Sequence, residues 1–236
     1  MELTAEKLAN MIDYACLKPN ATEKDVLRFC QIAKKYRFKA AHILPTNLPI
    51  VVRQLKDSGI NIGVPVGFPF GTTFPEVKAF EAKKAVDMGA QEIDMVINIG
   101  ALRSKRYKLV YEDIRGVVEA AKESIVKVIL EIHYLSEEEI VKGCQISKEA
   151  GAHFVKTSTG FAPHELKVEE IRLMRRTVGP KMGVKAAGGI RDIDLCLSLI
   201  KAGANRIGTS RGDQLVEEFK EKYGEKVLLE EVEEKA

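Results

Sequence analysis

The chain has 236 residues, of which 45% are hydrophobic, and its 37 basic and 34 acidic residues leave a formal net charge of +3. This length fits one α/β domain over residues 1–236, and the balanced charge, without a polybasic block, argues against nucleic-acid and membrane partners. The four cysteines lack zinc-type spacing and no apolar run reaches about 18 residues, so we expect a cytoplasmic protein that uses no metal and no cofactor.

The predicted elements alternate between strands and helices along the chain. A polar N-terminus begins a short helix, and eight apolar segments then read as buried strands that are separated by stretches of helical period. The predicted strands cover residues 11–16, 38–44, 60–66, 91–97, 126–132, 152–157, 182–187 and 204–208. Such alternation implies a parallel sheet, and eight units fit a closed (β/α)8 TIM barrel. An open doubly wound sheet is the alternative, but no Gly-x-Gly-x-x-Gly turn follows the first strand.

Short motifs mark the ends of several helices. Thr22 with Asp25 marks the start of the first long helix, and Ser136 with Glu139 has the spacing of a capping box. Three similar segments, Met-Gly-Ala-Gln-Glu-Ile, Ala-Gly-Ala-His-Phe-Val and Ala-Gly-Ala-Asn-Arg-Ile, each join a helix end to a strand. The glycines that we expect to cap these helices in the left-handed conformation are Gly89, Gly151 and Gly203.

Charged side chains within the apolar strands are the first candidates for a site. Active sites of TIM barrels lie at the carboxyl ends of the strands, which favours Asp13, Asp94 and Glu131. Strand alternation predicts further lumen-facing side chains, namely Glu92, Lys127 and Phe154. The alternative is that these charges form buried ion pairs that fill the lumen without catalysing anything.

Two lysines lie in apolar strands that end in glycine: Lys156 in Phe-Val-Lys-Thr-Ser-Thr-Gly and Lys185 in Val-Lys-Ala-Ala-Gly-Gly. A buried ammonium loses solvation, and two on neighbouring strands disfavour each other's charge, which pushes one toward the neutral amine. A neutral lysine is the amine that forms Schiff bases with carbonyl compounds. The pair therefore indicates carbonyl chemistry.

Glycine-containing turns follow the last two predicted strands, at 187–191 and 207–211. Backbone N–H groups at such loops and at helix N-termini suit an anion, so a phosphorylated substrate is expected there. The donors that we predict are Gly188, Gly189, Gly208 and Ser210. The four histidines, His42, His133, His153 and His164, are scattered singly, and we predict no role for them.

Five motifs, in this order, resemble the deoxyribose-phosphate aldolase family across nearly the whole chain: Glu-Ile-Asp-Met-Val-Ile-Asn-Ile-Gly-Ala-Leu, Val-Lys-Val-Ile-Leu-Glu, Phe-Val-Lys-Thr-Ser-Thr-Gly-Phe, Val-Lys-Ala-Ala-Gly-Gly-Ile-Arg and Arg-Ile-Gly-Thr-Ser. The resemblance implies a class I aldolase that reversibly cleaves 2-deoxy-D-ribose 5-phosphate to D-glyceraldehyde 3-phosphate and acetaldehyde, as a homodimer or homotetramer. It implies that Lys156 forms the Schiff base, that Lys185 perturbs it, and that Asp94 is the acid/base through an ordered water. The substrate-binding residues that we infer are Asp13, Thr159, Gly160, Gly188, Gly189, Gly208, Ser210 and Arg211.

The chain departs from the family pattern in four places, and these keep the substrate open. Tyr14 and Ala15 replace a histidine and a hydroxyl residue, residues 40–44 lack the usual Val-Cys-Val, residues 162–167 replace a Gly-rich segment, and Arg211 stands where a small residue is common. An arginine there suits a phosphate or another acidic group. The alternatives are a class I aldolase for a different sugar phosphate and a non-catalytic barrel that binds a phosphorylated metabolite.

Overall fold

The computed structural model describes residues 2–163 and 165–229. The strands in chain order are β1 (Glu2–Thr4), β2 (Ile12–Cys16), β3 (Ala40–Ile43), β4 (Asn61–Val66), β5 (Glu92–Val96), β6 (Ile125–Ile129), β7 (Phe154–Lys156), β8 (Gly183–Ala187), β9 (Arg206–Thr209) and β10 (Lys226–Leu228). Strands β2 to β9 are parallel, each pairs with the next, and β9 pairs with β2 to close the barrel. The predicted (β/α)8 TIM barrel is confirmed, and each of the eight predicted strands overlaps one barrel strand.

Helices separate consecutive strands along the chain. They are α1 (Ala5–Ala9), α2 (Glu23–Tyr36), α3 (Leu48–Leu55), α4 (Pro75–Asp87), α5 (Ile99–Arg103), α6 (Tyr107–Ala120), α7 (Glu137–Glu149), α8 (Val168–Val178), α9 (Ile193–Lys201) and α10 (Gly212–Tyr223). Single 3-10 turns lie at Pro45–Asn47 and Ile132–Tyr134. Over residues 2–163 and 165–229, every helix is too short or too polar to span a lipid bilayer.

The predicted helix caps are present. Asp25 N donates to Thr22 Oγ1 at 3.3 Å, and Thr22 N donates to the Asp25 carboxylate at 2.8 Å, so both halves of a capping box form. Ser136 and Glu139 repeat this geometry at α7. The three predicted glycines, Gly89, Gly151 and Gly203, have positive φ angles and follow α4, α7 and α9. Each helix ends with the same pair of backbone hydrogen bonds, so the sequence repeat corresponds to three equivalent helix-to-strand turns.

The apolar core lies between the outside of the barrel and the helices. Strand residues such as Ile93, Val128 and Val184 are fully buried there, while their neighbours point into the lumen. One ion pair lies within this outer layer: Lys78 Nζ on α4 is 2.5 Å from Asp113 Oδ2 on α6, and both side chains are buried. The outer core of the described residues therefore includes a paired charge between two helices.

Strands β1 and β10 form a separate antiparallel pair, with Leu3 opposite Val227. This pair was not predicted. Each strand has three residues, which is too short for the alternation that identifies a strand in a sequence.

Candidate active site

Two lysines lie side by side on the lumen face of the barrel. Lys156 ends β7 and Lys185 lies in the middle of β8, and the strand register pairs them directly. Both side chains are buried, and both donate to one carboxylate oxygen, Asp94 Oδ2 on β5, at 2.8 Å and 2.7 Å. The two amines therefore share one acceptor oxygen.

A second carboxylate, Asp13 on β2, also contacts Lys185. Asp13 Oδ2 lies 2.6 Å from Lys185 Nζ and 3.2 Å from Lys127 Nζ, and Asp13 Oδ1 accepts from Arg206 Nε at 2.6 Å. Lys127, on β6, donates to Asp94 Oδ1 at 3.0 Å. Acidic and basic side chains therefore alternate across the lumen, which is how buried charges remain paired.

Glu92, at the start of β5, completes this arrangement. Its carboxylate accepts from Lys127 Nζ and from Arg206 Nη2, the latter at 2.8 Å, and Asn61 Nδ2 donates to it at 2.9 Å. We call the seven charged side chains the lumen cluster: Asp13, Glu92, Asp94, Lys127, Lys156, Lys185 and Arg206. The sequence left open that the charged strand residues form buried ion pairs in the lumen. Such ion pairs are present, and they include Lys156 and Lys185.

These contacts fix the protonation of the carboxylates. Burial raises the pKa of the Asp94 carboxyl, but His42, Lys127 and the lysine pair outweigh burial and hold that pKa well below its ordinary value. Burial likewise raises the pKa of Asp13, and Lys127 and Lys185 outweigh it and hold the pKa well below the ordinary value. Both carboxylates are therefore ionised at neutral pH.

The pKa of Lys185 is lowered from its ordinary value. Burial lowers the pKa of Lys185, Asp13 and Asp94 oppose that change, Lys156 and Lys127 add to it, and the pKa is about 8. Lys185 is the lysine expected from the sequence to act as the neighbour of the nucleophile. Near neutral pH part of the Lys185 population therefore has a neutral amine.

The ends of β7 and β8 are tied together beside the lysines. Thr157 Oγ1 donates to Ala187 O at 2.7 Å and accepts from Ala187 N at 2.9 Å. In the next residues of the loop, Thr159 N and Oγ1 both donate to the carboxylate of Glu131, the N–H at 3.2 Å. Glu131 follows β6 with φ 53°, so it leaves the strand alternation and anchors the loop after β7 instead.

A cavity of about 880 Å³ opens at the carboxyl ends of the strands, and Lys156 and Lys185 lie at its base. All the predicted substrate-binding residues line it: Asp13, Thr159, Gly160, Gly188, Gly189, Gly208, Ser210 and Arg211. Asp94 lies beneath the lysines, one hydrogen bond away. The structure thus brings every residue predicted for the site to one place.

The glycines of the loop after β8 have backbone angles that favour glycine. Gly188 and Gly189 have φ angles of 97° and 72°, which side chains other than glycine rarely adopt. Gly208 has a different reason to be glycine, because a Cβ there would lie 2.9 Å from Lys185 Cε. Its missing side chain makes room for the lysine as well as exposing backbone.

Comparison with known proteins identifies the family. The model of the DeoC/LacD family of aldolases matches residues 11–213. The chain belongs to this family. It is thereby an aldolase, a carbon–carbon lyase, and the family resemblance inferred from the sequence is confirmed.

Named relatives of this aldolase cover nearly the same length. A deoxyribose-phosphate aldolase of Streptococcus sanguinis is 53% identical over 206 residues, which is 87% of this chain and 94% of the relative. One of Thermococcus kodakarensis is 50% identical over 219 residues, covering 91% and 98%. A solved deoxyribose-phosphate aldolase of Aeropyrum pernix, described as a tetramer, superposes with a TM-score of 0.86 at 34% identity and 92% coverage of both chains.

The site of this aldolase includes two side chains that we did not predict from its sequence. Arg206, on β9, pairs with Asp13 and Glu92. Its position two residues before Gly208, on the same face of the strand, could have predicted that it points into the lumen. His42, on β3, was expected to have no role, yet its ring is buried within the lumen cluster and borders the cavity. The sequence around His42 does not show which charged residues of other strands will contact the ring, because those contacts form only when the barrel closes.

A histidine and two carboxylates of the aldolase also satisfy the spacing of a metal site. Ligand atoms of Asp13, His42 and Glu92 lie within 4.8 Å of one another. Lys127 Nζ already contacts both carboxylates and lies 3.4 Å from His42 Nε2. The ammonium occupies the position that a cation would take, so we assign no metal to this group.

Two residues that depart from the family pattern, Tyr14 and Arg211, lie in different parts of the barrel. Tyr14 stacks on Phe29 at 4.9 Å and packs against Phe38, on the face of β2 opposite Asp13, so its effect on the lumen is indirect. Arg211 precedes α10, and its Nε donates to Gln214 at the cavity edge. Within residues 162–167, His164 lies outside the described residues.

Proposed function

We propose that this aldolase reversibly cleaves 2-deoxy-D-ribose 5-phosphate to D-glyceraldehyde 3-phosphate and acetaldehyde, through an imine on Lys156. One observation carries the proposal: two buried lysines share Asp94 Oδ2 at the base of a cavity that glycine loops border. Relatives about half identical to the chain are named deoxyribose-phosphate aldolases, which supports the choice of substrate.

Imine formation begins with a neutral amine. In this proposal Lys156 is the nucleophile, because it ends its strand and its side chain is slightly more exposed than that of Lys185, at 5% against 2%. Lys185, with its lowered pKa of about 8, takes the proton that Lys156 must lose, and Asp94 Oδ2 is the oxygen both amines contact. Attack on C1 of the open-chain sugar gives a carbinolamine, which loses water to form the protonated imine.

Carbon–carbon cleavage then uses the imine as an electron sink. The C2–C3 bond breaks, its electron pair forms an enamine, and the proton of the C3 hydroxyl leaves, so that C3 becomes the aldehyde carbon of glyceraldehyde 3-phosphate. Protonation of C2 and addition of water release acetaldehyde and restore the amine. We propose that Asp94 moves these protons through an ordered water, since it is ionised and lies one hydrogen bond below both lysines.

The phosphate is proposed to bind at the loops that follow β8 and β9. Gly188, Gly189 and Gly208 offer close backbone approach, and Ser210 with Arg211 leads into the N-terminus of α10. Backbone N–H groups at a helix N-terminus favour an anion, and a guanidinium can pair with phosphate through two hydrogen bonds.

The sugar hydroxyls are proposed to bind between Asp13 on one side of the cavity and the loop of Thr159 and Gly160 on the other. Asp13 is ionised and accepts hydrogen bonds, and Thr159 is held in place by Glu131. These contacts would select a chain of this length over a shorter aldehyde.

We further propose that the aldolase acts as a homodimer or homotetramer in the cytoplasm. A tetramer is described for the Aeropyrum pernix protein. Cys30, Cys144 and Cys196 are buried free thiols, which suits a reducing compartment.

A cleavage assay tests the proposed substrate. Purified protein is offered 2-deoxyribose 5-phosphate, ribose 5-phosphate and fructose 1,6-bisphosphate, and aldehyde release is measured for each. We expect cleavage of the first, abolished by Lys156→Ala and unchanged by Lys201→Ala, which removes an exposed lysine of α9. Preference for another sugar would refute the assigned substrate, and binding without turnover in both variants would favour a non-catalytic barrel.

A further inference from the structure

Two phenylalanine rings meet over the mouth of the barrel. Phe68 belongs to the loop after β4 and Phe161 to the loop after β7, and their ring centroids are 5.3 Å apart in an edge-to-face contact. Two strands, β5 and β6, lie between β4 and β7 in the barrel. The contact, which we call the aromatic bridge, therefore crosses the mouth as a chord that has the carboxyl ends of β5 and β6 on one side.

The cavity lies on the other side of the aromatic bridge. Among the described residues, its lining comes from β2, β3, β7, β8, β9 and the segments that follow these strands, and none comes from residues 61–131. Phe161 is itself one of the lining residues, whereas Phe68 is not. Phe161 is thus the part of the bridge that faces the cavity, and Phe68 packs behind it.

Polar contacts anchor the loop at each end of the bridge. On the β7 side, Phe161 N donates to Thr159 Oγ1 at 3.0 Å, and Thr159 Oγ1 donates to the Glu131 carboxylate. On the β4 side, Gly67 N donates to Glu81 Oε2 on α4 at 2.8 Å. The backbone next to each ring is therefore held in place by a carboxylate of another element.

The aromatic bridge borders the end of the cavity at which the imine is proposed to form. Lys156 ends β7, and the chain that continues from it carries Phe161. The proposed phosphate loops follow β8 and β9, which lie on the opposite side of β7 from β5 and β6. A sugar chain that joins Lys156 to these loops extends away from the bridge. The second substituent of the imine carbon then points toward the bridge.

We propose that Phe161 is a specificity-determining residue, which makes the aldolase select an aldehyde over a ketone as the partner of Lys156. Phe68 is the positioning residue that holds the Phe161 ring in place. In an aldehyde the second substituent of the imine carbon is hydrogen, whereas a ketone places a carbon there, against the ring. The inference rests on the imine at Lys156 proposed above.

Reductive trapping of two carbonyl compounds tests the proposal. The wild type, Phe161→Ala and Phe68→Ala are incubated with acetaldehyde or with acetone, and cyanoborohydride supplies the hydride that reduces each imine. Peptide mass spectrometry follows the rate at which Lys156 gains an ethyl or an isopropyl group. The ratio of the acetaldehyde rate to the acetone rate is compared between proteins, so that the lower intrinsic reactivity of a ketone cancels. We expect the ratio to fall by about tenfold in Phe161→Ala, and by less in Phe68→Ala.

Two further variants separate the shape of the cavity from general effects of losing a ring. Phe74→Ala makes the same substitution in the same connection between β4 and α4, at a side chain that is 75% exposed and outside the bridge, and should leave the ratio unchanged. Phe161→Leu keeps an apolar side chain of intermediate size, so its ratio should lie between those of the wild type and Phe161→Ala. Thermal unfolding by circular dichroism checks that each variant is folded before its rates are compared.

The ratio distinguishes a wall of the cavity from a structural ring. A fall in Phe161→Ala and Phe68→Ala, but not in Phe74→Ala, supports the proposal. An unchanged ratio in Phe161→Ala, even with both rates reduced, overturns it, and so does an equal fall in Phe74→Ala. A fall in Phe161→Ala alone overturns the role of Phe68.

Failure of the proposed function gives a different result. If neither compound labels Lys156 of the wild type, the imine at Lys156 is refuted, and this inference is refuted with it. If acetaldehyde labels Lys156 normally and no variant changes the ratio, the imine stands and only the role of the aromatic bridge is refuted.

Discussion

Replacing Asp13 with asparagine should move the pH dependence of imine formation in the acid direction. The pKa of Lys185 is about 8, because burial and the neighbouring lysines lower it more than Asp13 and Asp94 raise it. At pH 7 about one Lys185 side chain in ten is then neutral, against about one in 3000 for an ordinary lysine. Asp13→Asn removes a carboxylate 2.6 Å from Lys185 Nζ, so we expect that pKa to fall to about 6 or 7.

The assay is the initial rate of trapping with acetaldehyde and cyanoborohydride, measured between pH 5 and pH 9. The wild type should reach half of its plateau near pH 8, and Asp13→Asn should reach half of a lower plateau about one to two pH units earlier. The matched control is Glu119→Gln, which removes the carboxylate of an exposed pair with Arg115 and should leave the midpoint in place.

Folding has to be checked first, because Asp13 also accepts from Arg206 at 2.6 Å. Breaking a buried pair costs about 3–5 kcal/mol, so the variant is assayed below the temperature at which its unfolding begins. A midpoint that stays near pH 8 or rises would refute the assignment of the titrating amine to Lys185 under the influence of Asp13.

Three other substitutions have specific expected outcomes. Asp94→Asn should lower kcat by about 10²- to 10⁴-fold in steady-state cleavage assays, because it removes the carboxylate both lysines contact. Glu131→Gln should raise KM by about tenfold with a smaller change in kcat, since the loop of Thr159 loses charged hydrogen bonds; an equal fall in kcat would argue against that role. Lys78→Met should lower the free energy of unfolding in urea by about 3–5 kcal/mol because Asp113 is left unpaired, and adding Asp113→Leu should restore much of the loss.

The barrel was predictable because its signals are local. Each βα unit has a strand of buried residues, and two helix starts are marked, since the caps at Thr22 and Ser136 form as their spacing indicates. The repeated glycines form the same helix-to-strand turn at three places in the barrel. The β1–β10 pair has no such signal, since strands this short are recognisable only from their partner.

The candidate site was predictable to the extent that its residues lie in recognisable motifs. Lys156, Lys185 and Asp94 come together as expected from strand alternation and barrel closure. The pairing of His42 and Arg206 with carboxylates from other strands depends on distances across the lumen, which no local pattern contains.

The lowered pKa of Lys185 likewise could be inferred only from the structure. That pKa depends on how completely Lys185 is buried and on the balance between its contacts with Asp13, Asp94 and the neighbouring ammonium groups. The sequence identifies two neighbouring amines, but it does not contain the distances from Lys185 to these carboxylates.

Mapping the reductively trapped amine tests directly whether Lys156 forms the imine. The wild-type protein is incubated with acetaldehyde and cyanoborohydride near pH 8, and peptide mass spectrometry locates the added ethyl group. We expect a single modified residue, Lys156, and no modified residue in Lys156→Ala. An ethyl group on Lys185, or the same labelling of exposed lysines with and without the Lys156 side chain, would contradict it.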